Sequence, residues 1–567
     1  MSNADRMQRS DLPLTQATRC ASHACGRFGL IARSPLYHAL TLVIVLIFAP
    51  GCGRVEVGAD ATSSKAKGGV RRPDGRMNGR AQLLAETGGE AFDTEAYHSL
   101  PENDFLSALE QPQSTFSIDV DTASYANVRR LLKSGKKPPR GAVRIEELVN
   151  YFSYDYSAPS GGHPFSVDLE YGVCPWQPEN HLLRVGMRAK SIDFSQRAPC
   201  NLVFLLDVSG SMMSGDKLPL VQKAMKLLAE ELLPTDRIAI VVYAGASGLV
   251  LDSTEVRKAG AIVDAIDSLK AGGSTNGGAG IELAYSVAEA NLLPAGINRV
   301  VLCTDGDFNV GATSESALVD LVQQKAKSDV FLSVLGFGSG NLKDSTMEKL
   351  ADKGNGNYAY IDSLLEARKV LIEEVGGTLV TVAKDVKIQL DFNPAFVDSY
   401  RLIGYENRLL NNQDFRDDAK DAGEIGAGHR VTAFYEIRPA SSESSESQAE
   451  DTSIRASEFV AKTVVDNPER EQTCMTVNLR YKQPAESEST EFQVRVPATE
   501  PTALPSSEFQ FAAAVAGYGL LLRGSQYGGQ ANWDWVIQTA ERNRGSDPRG
   551  LRSEFVELAK LARRLDP

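Results

Sequence analysis

From Asn201 to about residue 376 the chain alternates buried strand and amphipathic helix, and this alternation restricts the fold more than any other feature. The runs "LVFLL" (202–206), "RIAIVVYA" (237–244), "RVVLC" (299–303) and "VFLSVLGFG" (330–338) are apolar almost throughout, as strands buried on both faces are. Between them apolar residues recur at helical spacing. Leu218, Val221, Met225, Leu228 and Leu232 form one stripe, Ile262, Ile266 and Leu269 a second, and Ile281, Tyr285 and Ala288 a third. Further helices are expected over Leu318 to Ala326, Met347 to Ala351 and Leu364 to Val375. Parallel strands need crossover helices, and such crossovers are right-handed, so the expectation is an α/β fold with a doubly wound, mostly parallel sheet. Ligands of such sheets sit at the carboxyl ends of the strands, near a switch in strand order.

Three loops at or near strand ends carry oxygen-rich side chains. "DVSGS" places Asp207, Ser209 and Ser211 directly after the first strand. "AGGSTNGGAG" (271–280) holds Thr275 among glycines, and "VLCTDGDFNVG" (301–311) holds Asp305. Two carboxylates and three hydroxyls are hard donors that suit Mg²⁺ or Mn²⁺, and only two formal negative charges leave such an ion electrophilic. The glycines let the backbone turn sharply and approach an ion closely.

D-x-S-x-S, a glycine-flanked threonine and T-D-G together resemble the metal-ion-dependent adhesion site of von Willebrand factor type A (VWA) domains. The resemblance covers residues 201–376. It implies a Rossmann-like fold and a metal set of Asp207, Ser209, Ser211, Thr275 and Asp305, with the carboxylates acting directly or through water. It also implies a free coordination position that an acidic residue of a protein partner fills. The flanking stretches "STFSIDVDTASYANVRRLL" and "YRLIGYENRLL" are similar to a bacterial subfamily of secreted VWA lipoproteins with an N-terminal extension and a C-terminal domain of unknown role.

The remaining chain divides by composition. Residues 1–52 contain an apolar stretch, Ala39 to Ala49, shorter than the ~20 residues that span a bilayer. It ends in Ala49-Pro50-Gly51-Cys52, which resembles the lipobox of bacterial lipoproteins. The resemblance implies lipidation at Cys52, a membrane anchor, and a place in the cell envelope, at the outer membrane or the periplasmic face, or secretion. Residues 53–105 read as a flexible tether. Residues 106–200 read as an N-terminal α+β extension, with Asp119, Asp121 and Ser124 as turn and cap residues. Residues 377–500 read as a β-rich region interrupted by the acidic insertion "SSESSESQAEDTS", and residues 501–567 as helices.

Several function classes recede. A net charge of -13 argues against nucleic acid as the partner. Seven cysteines without a C-x-x-C pair give no zinc ribbon. In an oxidising compartment Cys174 and Cys200, which flank the entry to the alternating region, could form a disulfide. Gly210 and Gly215 have phosphate-loop spacing, but Asp216-Lys217 stands where that loop needs Lys-Ser or Lys-Thr. No G-x-S-x-G elbow occurs, and no histidine accompanies the two aspartates. The expectation is therefore a binding protein, not an enzyme. The alternative is a structural assembly subunit of the envelope that uses no metal.

Overall fold

The computed structural model describes residues 95, 97–98, 101–244, 247–273, 277–306, 315–339, 342–373, 380–420, 422–441 and 472–566. The first part contributes β1 (Leu106–Ser107), β2 (Gln113–Ser117), α1 (Ala123–Lys133), α2 (Ile145–Asn150), and a long hairpin of β3 (Phe165–Val173) and β4 (His181–Ala189). The alternating region opens with β5 (Cys200–Asp207), α3 (Leu218–Glu231), β6 (Arg237–Tyr243), β7 (Ser247–Glu255), α4 (Ala259–Ser268) and α5 (Gly277–Ala290). It continues with β8 (Ile297–Thr304), α6 (Glu315–Ala326), β9 (Phe331–Phe337), α7 (Asp344–Lys353), β10 (Tyr358–Ile361) and α8 (Leu364–Arg368). Seven strands follow: β11 (Thr381–Phe392), β12 (Val397–Ile403), β13 (Leu409–Leu410), β14 (Ile425–Gly426), β15 (Arg430–Pro439), β16 (Thr473–Lys482) and β17 (Ser489–Pro497). Helices α9 (Ser507–Arg523), α10 (Trp533–Arg542) and α11 (Leu551–Leu565) close the described chain.

The alternating region forms one sheet of order β10-β9-β8-β5-β6-β7. Its strands run parallel except β7, which pairs antiparallel with β6. This is the doubly wound α/β fold. Every residue of β5 is buried. Successive side chains on a strand point to opposite faces. Accordingly Leu202, Phe204 and Leu206 pack with α3 and α4 through Val221 and Ile262. Val203 and Leu205 pack with α5, α6 and α7 through Ile281, Val322 and Leu350. Two elements differ from expectation. Strand β7 is legible only in three dimensions: it lies on the sheet edge with Leu249 and Val250 exposed, so its sequence lacks the contrast of a buried strand. The last helix of this region is shorter than Leu364 to Val375, because α-geometry stops at Arg368 and a π-turn takes over at Lys369–Glu373.

The flanking segments do not fold as separate bodies. Two further sheets, β1-β12-β15-β4-β3 and β13-β2-β11-β16-β17, enclose a common core that includes Phe116, Val185, Leu390, Tyr435 and Val477. Strand β2 of the extension thus lies between β13 and β11 of the C-terminal region, and β4 pairs with β15. Helices α1, α2 and α9 to α11 pack together on this sandwich through Leu182, Ile403 and Phe434.

Two sequence expectations are corrected here. Cys174 and Cys200 are free, buried thiols, because Cys174 belongs to the helical cluster and Cys200 to the core under β5. Asp119, Asp121 and Ser124 are not simple turn and cap residues. Asp121 accepts the Tyr358 amide and pairs with Arg408, which also holds Asp119, while the Ser124 hydroxyl bonds the Ala142 carbonyl.

Candidate metal centre

Strand β5 lies between β6 and β8, so the chain leaves it at the point where strand order reverses. Asp207 is its last residue and is fully buried. Its Oδ1 accepts the Ser209 amide at 2.8 Å, closing a tight turn that returns the hydroxyls toward the carboxylate. The Ser209 and Ser211 hydroxyls lie 2.9 Å apart. Ser209 is buried and Ser211 exposed, so the turn runs from the core to solvent.

The second loop is stitched to this turn. Gly272 donates to the Val208 carbonyl at 2.7 Å, and Gly210 donates to the Gly273 carbonyl at 3.1 Å. The backbone two residues before Thr275 is therefore held against the D-x-S-x-S turn. Thr275 itself lies outside the described residues, as does Cys52. The third loop follows β8, where Asp305 is fully buried. Gly306 takes φ +95°, a conformation that favours glycine, and its amide bonds the Thr304 hydroxyl at 3.2 Å.

Sequence reading passed over one participant. Lys217, at the start of α3, is buried and its Nζ lies 2.9 Å from Asp305 Oδ2. In the sequence, Asp216-Lys217 stands out only as a departure from a phosphate loop. No spacing rule places a lysine ten residues after Asp207 beside the aspartate that follows β8, and the contact is purely tertiary.

Burial raises the Asp207 carboxyl to about 6, and the nearby charge of Asp305 pushes the same way. The Ser209 amide and hydroxyl and the Tyr243 hydroxyl work in the opposite direction. Asp207 Oδ2 is buried without a hydrogen bond of good geometry, although the Tyr243 hydroxyl is close enough to influence it. A buried carboxylate oxygen without a donor is costly unless something else satisfies it. Among the described residues no group of three His, Cys, Asp or Glu converges on one point, so a cation here would depend on hydroxyl donors. The donor set fits a small hard cation on that basis: one orphaned carboxylate oxygen, two adjacent hydroxyls and a second buried carboxylate.

A doubly wound sheet carrying D-x-S-x-S at the end of a central strand defines a VWA domain. The family described as "von Willebrand factor type A domain" matches residues 201–373, and one described as "von Willebrand factor" matches residues 91–184. The family "Uncharacterized protein YfbK, C-terminal" matches residues 377–565. The chain belongs to the YfbK family of bacterial VWA proteins. It is 43% identical over 476 residues to "Uncharacterized protein YfbK" of Escherichia coli (strain K12), covering 83% of this chain and 81% of that protein. Similarity to "Uncharacterized protein sll0103" of Synechocystis is 31% over 185 residues, covering 33% of this chain and 43% of that protein. Among solved structures, "von Willebrand factor type A from Catenulispora acidiphila" aligns at 14% identity and a TM-score of 0.38, over 67% of this chain and 87% of that one. VWA domains mediate protein–protein interactions and commonly bind a divalent metal.

Proposed function

We propose that this protein captures a protein partner through a divalent cation, Mg²⁺ or Mn²⁺, held by Asp207, Ser209, Ser211, Thr275 and Asp305. The observation that carries the reading is the buried Asp207 carboxylate. One of its oxygens is engaged by the Ser209 turn and the other has no well-formed hydrogen bond. When bound, the ion supplies a Lewis-acidic position that a partner's Asp or Glu carboxylate completes. The protein's own part is to fix the donors at a strand switch point, on a turn that leads from the buried carboxylates to the exposed Ser211. The proposal includes lipidation at Cys52, which would hold the protein in the cell envelope.

The test is capture of partners from native envelope in Mg²⁺ and in EDTA, by wild type and by Asp207→Ala. The metal bridge requires bands that appear only in Mg²⁺ and only with wild type. A metal-free assembly subunit is the second reading, favoured by one observation: Lys217 already pairs with Asp305. On that reading EDTA and Asp207→Ala leave the captured set unchanged.

A further inference from the structure

Lysine is an unexpected residue to bury at the mouth of this site. It stands at the amino end of α3, where the helix dipole is positive and a cation is disfavoured. Its side chain does not cap the helix, so it contributes nothing there that would offset that cost. Instead the stem runs inward, and the ammonium donates to Asp305 Oδ2 at 2.9 Å with only 8% of the lysine side chain exposed and none of the aspartate.

The pocket for the stem is built as specifically as the ion pair. Gly338, just after β9, takes φ +72°, and a Cβ there would collide with Cγ, Cδ and Cε of Lys217. The Gly338 carbonyl in turn accepts the buried Tyr360 hydroxyl, which fixes the glycine against the sheet. A side chain at position 338 would evict the lysine. The backbone at Gly338 is thus arranged to admit the stem.

We propose that Lys217 is a resident monovalent cation of the candidate metal centre, sharing Asp305 with any divalent ion and setting the charge of the site. This deepens the metal-bridge reading and rests on it. Without a divalent ion, Asp207, Asp305 and Lys217 sum to one negative charge, so Asp305 keeps a partner and the fold does not depend on metal. With a divalent ion the sum becomes one positive charge, where two carboxylates alone would give neutrality. A site that remains positive still attracts the carboxylate of an incoming partner. The opposite side of this arrangement is weaker metal binding, because a fixed positive charge close to the ion repels it. Lys217 thus gives up affinity for the ion to preserve the ion's attraction for an acidic ligand.

The test is Mg²⁺ and Mn²⁺ titration calorimetry on the full chain, with thermal melts in EDTA and in metal, for wild type, Lys217→Met and Lys217→Gln. Both variants keep most of the stem that Gly338 accommodates, and two are used in case one folds poorly. The expectation is that removing the charge tightens Mg²⁺ binding by about tenfold or more. In EDTA the variants should melt below wild type, since Asp305 loses its partner, and metal should restore more of that loss than it adds to wild type. A residue with a merely structural role would weaken metal binding when replaced. Equal or weaker Mg²⁺ affinity in both variants, with wild type binding normally, overturns the role of Lys217 and leaves the metal-bridge reading standing. Absence of binding in wild type and variants alike overturns both.

Discussion

Asp207 shows how a single residue can serve a site at the expense of the fold. Its carboxylate is fully buried, raised by that burial, and left with one oxygen lacking a good donor. Replacing it by asparagine removes the charge while keeping the shape and the acceptor for the Ser209 amide. Asp207→Asn should therefore melt in EDTA at or above the wild-type temperature, by roughly 2–4 °C, and should lose any rise on adding Mg²⁺. Scanning calorimetry with and without metal checks both halves. A lower melting temperature in EDTA would mean that Asp207 stabilises the fold on its own account.

Among the elements, β2 does most to join the two ends of the chain. It pairs with β11 over five residues, from Gln113 opposite Asp391 to Ser117 opposite Lys387. Its Phe116 is fully buried, with Tyr405 edge-on at 5.0 Å and Tyr435 at 6.3 Å. The strand belongs to the extension by position and to the C-terminal sandwich by packing. Phe116→Ala should cost about 3–5 kcal/mol of stability through the cavity it leaves. The damage should appear in the far half of the chain, as faster amide exchange in β11 and β16. Protection lost only around β2 and α1 would contradict a shared core.

At the scale of the molecule, the VWA sheet and the sandwich are tied by arginines that serve several carboxylates each. Arg408, after β12, reaches Asp119, Asp121, Glu348 and Asp352. Arg144, before α2, reaches Glu147, Asp344 and Glu348. Six carboxylates thus share two guanidinium groups, and burial shifts several of them toward the protonated form. Burial pushes Asp119 up to about 7 against the pull of Arg408, and Glu348 up to about 8 against Arg144 and Arg408. Because these raised groups hold protons more tightly in the folded state than in the unfolded chain, their contribution is full below the usual carboxylate range. It is lost as pH rises through 7 to 8. The urea midpoint should fall between pH 5 and pH 9, and Glu348→Gln, which cannot ionise, should flatten that fall. Parallel slopes for wild type and variant would exclude Glu348 from the effect.

Local pattern determined the α/β sheet. Continuous apolar strands and helical stripes are properties of short segments, and the crossover rule converts them into a parallel doubly wound fold with a site at strand ends. Asp207, Ser209 and Ser211 were legible for the same reason, since they follow one strand directly. What the tertiary structure decided is pairing across distance. The interleaving of β2 with β11 and the arginine network join residues far apart in sequence, and packing into different cores keeps Cys174 from Cys200. The same holds at the candidate metal centre, where Lys217 and Gly338 acquire meaning only from each other and from Asp305. A lysine ten residues past a strand carries no local mark of its partner. That contact exists because two parallel strands end and a helix begins on the carboxyl side of the sheet, and chain folding alone brings them there.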